Sequence, residues 1–391
     1  MKKLFIILGV LFTQTLYAQN YVHQVLILNE GYFDYTTNQI IEPVTIGSYD
    51  PVTETYTQVA TIDSARFASD MIIDGEYFYV AADNKILKYD LNNYNLLEET
   101  IVPGVRKLLT DPLNNLFATR GEYMTTFDSY LHVYDKNDLT LTMAVDTING
   151  PKWSTQDMVI YQNLLYIAIN NGFEWGNEKG LIGVLDIIYT LYNGGTMGYD
   201  EVDLGPDGKN PDNMMIDGTT IYTVNNKDWS GCSVSQIDIG LNAQPVTTTN
   251  MSTVSTGCGT SAIRNGNVNY QISGDTEIYE WNGTYSTPTG MSQNFYELAV
   301  DNVNNYLYAS STDWFSYGEV FIYNNNNILL NSFSCGVSPG TIVFDERMYV
   351  GIEEINNHIK DEQPFDVFGR KINTLPYGIY IKNGKKYVNI Q

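Results

Sequence analysis

Three observations predict an all-β chain: a unit that recurs seven times, a composition rich in Tyr, Gly and Asn, and short apolar runs bounded by Asp-Gly and Asn-Gly turns. The architecture they predict is a seven-bladed β-propeller with four-stranded blades, followed by a short C-terminal β-hairpin tail. Among 391 residues there are 31 Tyr and 32 Gly against 21 Lys and Arg, a balance that favours strands and turns over helices. Each unit reads as a short apolar strand, a tight turn, a Tyr-rich strand, a variable loop, a strand closing on an acid, and a last strand. The turns after the first strands are anchored at Asp74, Asp111, Tyr161, Asp217, Asn265, Asp301 and Asp345, with gaps of 37, 50, 56, 48, 36 and 44 residues. A period of about 45 residues suits a propeller blade, because one four-stranded sheet cannot cover its own faces.

The third strands repeat too, ending at Asp50, Asp90, Asp135, Asp186, Asp238, Glu280 and Tyr323. Residues 25–62 supply only the later strands of a blade, and residues 340–345 supply an orphan first strand. Pairing the two ends in one blade closes the ring and removes its exposed edges. The stretch 347–352 looks like a surplus second strand and has no place in seven blades.

The N-terminus joins Lys2 and Lys3 to an apolar run and a small residue, Ala18, before polar residues. That pattern predicts a secretory signal peptide over 1–18, and hence a secreted or cell-surface, outer-membrane-associated protein. The propeller is expected over 24–352, a linker over 353–365 and a separate tail over 366–391. The tail holds five Lys and Arg and one acid, whereas residues 20–365 hold 14 Lys and Arg against 44 Asp and Glu. A body this acidic excludes a nucleic-acid cradle and favours neutral or cationic ligands. Asn383-Gly384 between two alternating runs predicts the tail hairpin.

Val25-Leu-Ile-Leu-Asn-Glu-Gly31, with the recurrent I-I-D-G…Y-V-A and K-Y-D segments, resembles the secreted YncE-like seven-bladed propellers of Bacteroidota over roughly residues 24–352. One branch of that family binds cobalamin at the cell surface above outer-membrane corrinoid transporters. The resemblance therefore implies a corrinoid as the first ligand to test and a TonB-dependent outer-membrane transporter as partner. The tail resembles the end of the C-terminal sorting domain of type IX secretion, through Asp366, Gly369, Arg370, Leu375, Pro376, Gly378, Ile379, Tyr380, Gly384, Lys385 and Lys386. That likeness implies the type IX secretion machinery as a second partner. The chain lacks the P-N-P segment that precedes this pattern in the family.

In a propeller the loops after the second and fourth strands open on one face. Here those loops carry the aromatic residues: Tyr32, Phe33 and Tyr35; Tyr123 and Phe127; Trp153 between blades; Phe173 and Trp175; Trp229; Trp314, Phe315 and Tyr317. Acids such as Asp228 and Asp313 lie among them. Rings beside carboxylates and amides suit a flat ligand with polar edges, so these residues form the expected ligand-binding set. Short turns leave little room for a site on the opposite face.

Catalytic signals are thin. His23, His132 and His358 are scattered, and no calcium loop, phosphate-binding loop or nucleophile elbow appears. Neither a metal nor a cofactor is expected, and His132 reads as a structural strand residue. Cys232, Cys258 and Cys335 read as small buried packing residues. The expected function is a non-catalytic, exported, ligand-binding propeller that captures a small molecule. Two alternatives are a carbohydrate- or lactone-active enzyme using paired loop carboxylates, and an adhesion or protein-docking module.

Overall fold

The computed structural model describes residues 20–192, 198–241, 244–251, 256–348, 364–365, 370–372, 378–382 and 385–389. Two compact units result, Val22–Asp345 and a second formed by Met1–Tyr21 with Glu346–Gln391. The predicted signal peptide, most of the linker and His358 lie outside the described residues.

Seven four-stranded antiparallel sheets account for nearly all of the larger unit. Blade 1 is the composite one, with Pro339–Met348 as its inner strand beside Asn20–Asn29, Val44–Asp50 and Thr55–Ile62. Blades 2 to 7 occupy residues 68–101, 105–146, 155–203, 211–250, 258–292 and 297–337 in order. The expected closure is thus observed. What looked like a surplus second strand starts at 347, yet Arg347 and Met348 continue the inner strand of blade 1, which runs straight through the turn expected at Asp345. Residues 349–352 lie outside the described residues.

The blades hold together through alternation. In the second strand of blade 2, Phe78, Val80 and Ala82 pack toward blade 1 while Tyr79 and Ala81 pack toward blade 3. Period-two side chains on a strand buried on both faces make this unavoidable. Seven apolar clusters result, one at each blade boundary. Third strands end in Asp for a local reason. Asp90 Oδ1 accepts from the backbone N–H of Asn92 and Asn93 at 2.8 and 3.0 Å, and Asp50 and Asp135 hold their own turns similarly.

Three features depart from the sequence expectations. The link between the third and fourth strands of blade 4 is no short turn: it includes a six-residue helix, Ile187–Tyr192, anchored by the buried side chain of Ile187. Cys232 and Cys258 form a disulfide, with Cα atoms 5.1 Å apart, between the loop after the second strand of blade 5 and the inner strand of blade 6. Their 26-residue separation crosses a blade boundary, so no within-blade pattern reveals the pairing. Cys335 is buried and unpaired. Finally, Tyr32–Asp34 and Gln39–Glu42 make an extra hairpin on the loop of blade 1.

In the smaller unit, Gly378–Lys382 pairs with Lys385–Asn389, bringing Tyr380 opposite Tyr387 and Lys382 opposite Lys385. The predicted hairpin is present. Its turn residues, Asn383 and Gly384, lie outside the described residues.

Candidate functional site

Blades 2 to 6 share a break in register near the upper end of the inner strand, at Ala68/Asp70, Val105/Leu108, Thr155/Met158, Pro211/Asn213 and Cys258/Ser261. Such a bulge re-aims side chains and frees backbone N–H groups from the ladder. Side chains of the preceding blade take them up. Asp70 accepts from Leu108 N–H at 2.7 Å and Asp157 from Met214 N–H at 2.8 Å, and in blade 7, where the register is unbroken, Thr260 still accepts from Leu298 N–H at 3.0 Å. Asn213 donates to the Ser261 carbonyl at 2.7 Å in the same sense. The inner strands are therefore stapled blade to blade around the axis.

The residue four places before each turn anchor is Asp70, Lys107, Asp157, Asn213, Ser261, Glu297 and Thr341. All seven are polar. Lys107 lies among the acids, its Nζ 3.1 Å from Asp70 Oδ1 and under the field of Asp157 and Glu297. Burial pushes Glu297 up to about 8 and Asp157 up to about 6, with Lys107 opposing the rise in both. Glu30, at the end of the second strand of blade 1, accepts from the Tyr296 hydroxyl at 2.8 Å, and burial pushes it up to about 7. Near neutral pH the axis thus holds carboxyl groups that can take or release a proton. Sequence reasoning located the anchors and missed this ring, although the position four residues upstream was there to be read.

Two adjoining hollows open among the loops of blades 1 to 4. A cleft of about 720 Å³ is lined by Tyr123, Phe173, Trp175, Glu122, Asn171 and Glu174, among others. A smaller pocket of about 350 Å³ shares Glu122, Tyr123 and Phe173 with it and adds Tyr35, Phe67, Arg66, Asp83 and Arg106. Gly104 and Gly121 line the smaller pocket. At Gly121 a Cβ would lie 2.9 Å from both Phe173 and Ser154, and at Gly104, held at φ +72°, it would meet Phe127 at 2.7 Å. Those two positions let aromatic rings lie directly on backbone.

Tyr35, Tyr123, Phe173 and Trp175 of the expected set line these hollows, and Trp175 is 81% exposed. Phe127 instead covers the Arg120 guanidinium at 4.0 Å, and Trp153 lies beneath the Lys179 ammonium at 4.9 Å. A second aromatic group forms where blade 7 meets blade 1. Phe315 meets Tyr32 edge-on at 5.1 Å, Phe33 meets Tyr35 at 4.9 Å, and Trp314 meets Tyr296 at 4.5 Å. Tyr317 is exposed beside it. Trp229 lines neither hollow. It sits on a short 3-10 turn, Lys227–Trp229, and the side chain of Asp228 is not among those described. Trp229 and Trp314 hold left-handed backbone angles, φ 64° and 73°, an unfavourable state for a bulky residue. Such conformations concentrate at functional loops.

Asp313 shapes its own loop: it accepts from the N–H groups of Phe315 and Ser316 and from the Ser316 hydroxyl, which together hold it down at about 2. His132 is the structural residue its setting suggested. Its ring bonds Arg120 and Tyr134 at 2.9 Å each, and burial beside that guanidinium pushes it down to about 4. Among the described residues, no group of three or more His, Cys, Asp or Glu side chains is arranged to hold a metal ion.

No family model matches the chain, and no curated protein matches it. Solved structures do. A protein of Bacteroides fragilis, provisionally named a 6-phosphogluconolactonase, aligns with a TM-score of 0.59 at 13% identity, over 82% of this chain and 98% of its own. A protein of Bacteroides uniformis under the same provisional name aligns with a TM-score of 0.57 at 13% identity, over 82% and 99%. Hydrazine synthase of Kuenenia stuttgartiensis reaches 0.50 at 12% identity, over 75% and 90%. At these identities the likeness is one of fold: the chain is a seven-bladed propeller.

Proposed function

We propose that this chain is an exported, non-catalytic propeller that captures a flat ligand with polar edges on the face bearing the cleft between blades 3 and 4. The cleft carries the reading: Tyr123, Phe173 and Trp175 offer ring faces, while Glu122, Asn171 and Glu174 offer polar atoms beside them. A volume of about 720 Å³ falls within the range of small-molecule sites, and a flat docking face would have no such hollow. The Cys232–Cys258 disulfide supports export, since such bonds persist in oxidising compartments. A corrinoid remains the first ligand to try, with hand-over to an outer-membrane transporter and type IX secretion through the tail as the accompanying proposals. Titration with cobinamide and cobalamin should quench Trp fluorescence, and Trp175→Ala should weaken binding by about 1–3 kcal/mol if the ring stacks on the ligand. Absence of both heat and quenching removes the corrinoid.

A second reading, lactone hydrolysis, is supported by Glu297 and Asp157, whose raised carboxyls could serve as acid and base. The names of the two Bacteroides structures point the same way. Hydrolysis of a sugar lactone that is abolished in Glu297→Gln would favour it over simple capture. No turnover by the folded wild-type chain would remove it.

A further inference from the structure

The smaller pocket between blades 2 and 3 differs from the cleft beside it in carrying guanidinium groups. Arg66 is committed, because Asp83 takes its Nε at 2.9 Å and its terminal nitrogen at 2.5 Å. Arg106 is not. Its Nε donates to Gln156 Oε1 at 3.2 Å and its guanidinium carbon lies over the Phe173 ring, 5.1 Å from the centroid. Among the described residues its two terminal nitrogens donate to nothing, and no carboxylate forms an ion pair with it. Burial pushes it below its ordinary value, and Asp212, Glu30 and Asp70 oppose that only through space. A guanidinium held at one nitrogen and backed by an aromatic ring keeps its other N–H groups as a fork, a geometry that matches a carboxylate. The surrounding rings of Tyr35, Phe67 and Tyr123 give that anion an apolar neighbour.

We propose that this pocket is a carboxylate subsite, in which Arg106 clamps the acid group of a small aromatic or aliphatic carboxylate while its body packs between Phe67, Tyr35 and Tyr123. A monoanion suits the pocket better than a phosphate, because Glu122 on the rim and the acidic body repel a second negative charge. The inference goes beyond the cleft reading, since Trp175 lines the cleft and not this pocket.

The test is calorimetric titration of the full chain with indole-3-acetate, indole-3-acetamide and inorganic phosphate. The acid should bind, the isosteric amide at least about tenfold more weakly, and phosphate more weakly than the acid. Arg106→Lys keeps the charge and loses the fork, so it should weaken the acid at least about tenfold. Arg106→Gln should bring the acid down to the affinity of the amide, and unfolding curves without ligand confirm that both variants fold. Titration of folded Arg106→Gln with cobinamide, read by Trp quenching, reports on the cleft by itself, which separates failure of this pocket from failure of the cleft. Equal binding of acid and amide, no binding of the acid, tighter binding of phosphate, or undiminished binding by folded Arg106→Lys each overturns the proposal.

Discussion

Reducing the Cys232–Cys258 bond should lower stability by an amount that its chain separation sets. The two residues lie 26 apart, and a cross-link closing such a loop removes enough freedom from the unfolded chain to stabilise the fold by about 3.5 kcal/mol. Unfolding entropy near 2.1 cal/mol/K per residue, over the roughly 320 residues from Val22 to Asp345, converts this to a fall of about 5 °C in Tm. The measurement is differential scanning calorimetry of the oxidised chain, the chain in reductant, and a Cys232→Ala/Cys258→Ala double variant. Reduction isolates the cross-link. The double variant should fall further, because both side chains are buried at the boundary of blades 5 and 6 and truncation leaves a void there. Thiol titration of the denatured, unreduced wild type should find one free group, Cys335. Three free groups, or equal Tm with and without reductant, would refute the reasoning.

Three further outcomes follow from the axis and the smaller pocket. Glu297 binds its proton more tightly folded, at about 8, than at its ordinary 4.5, so the native state holds more protons between those values and stability falls as pH rises through that window. Glu297→Gln should flatten the fall measured by denaturant unfolding at pH 5 and 8; Glu30 and Asp157 contribute the same sign and leave a residual slope. Asp70→Ala removes both the partner of Lys107 and the acceptor for Leu108 N–H, and should cost about 3–5 kcal/mol in the same assay, with Asp70→Asn less harmful because its amide oxygen still accepts. Gly121→Ala should push Phe173 off the backbone and misplace the ring beneath Arg106, weakening indole-3-acetate binding with a smaller effect on Tm.

Blade count and strand order were legible because the signals are local. An acid ending a third strand caps the turn that follows it, so Asp50, Asp90 and Asp135 mark blades without reference to anything distant. Loop aromatics could be assigned to a face by strand alternation alone, but whether a ring stays open depends on what the neighbouring blade places over it. Phe127 and Trp153 found cations, while Trp175, among the described residues, did not. The axial ring escaped notice for a different reason. Each blade contributes one polar residue at its position, and a single Asn or Ser in an apolar strand resembles any solvent-facing site until seven are aligned. Contacts between blades, such as the disulfide and the clasp of Asp70 on Leu108, have no footprint within one repeat.

The composite blade also sets an order of events. Gln24 Nε2 reaches Asp345 Oδ2 at 3.0 Å across 321 residues of chain, and the strand that completes blade 1 is the last of the ring to be synthesised. Until then the strand Asn20–Asn29 has one unpaired edge, and a chain cut before residue 339 keeps it permanently. Closure over so long a separation is slow relative to the pairing of neighbouring strands. A ribosome that stalls late would therefore release six finished blades and one sticky one, whereas the complete chain buries that edge in its final step.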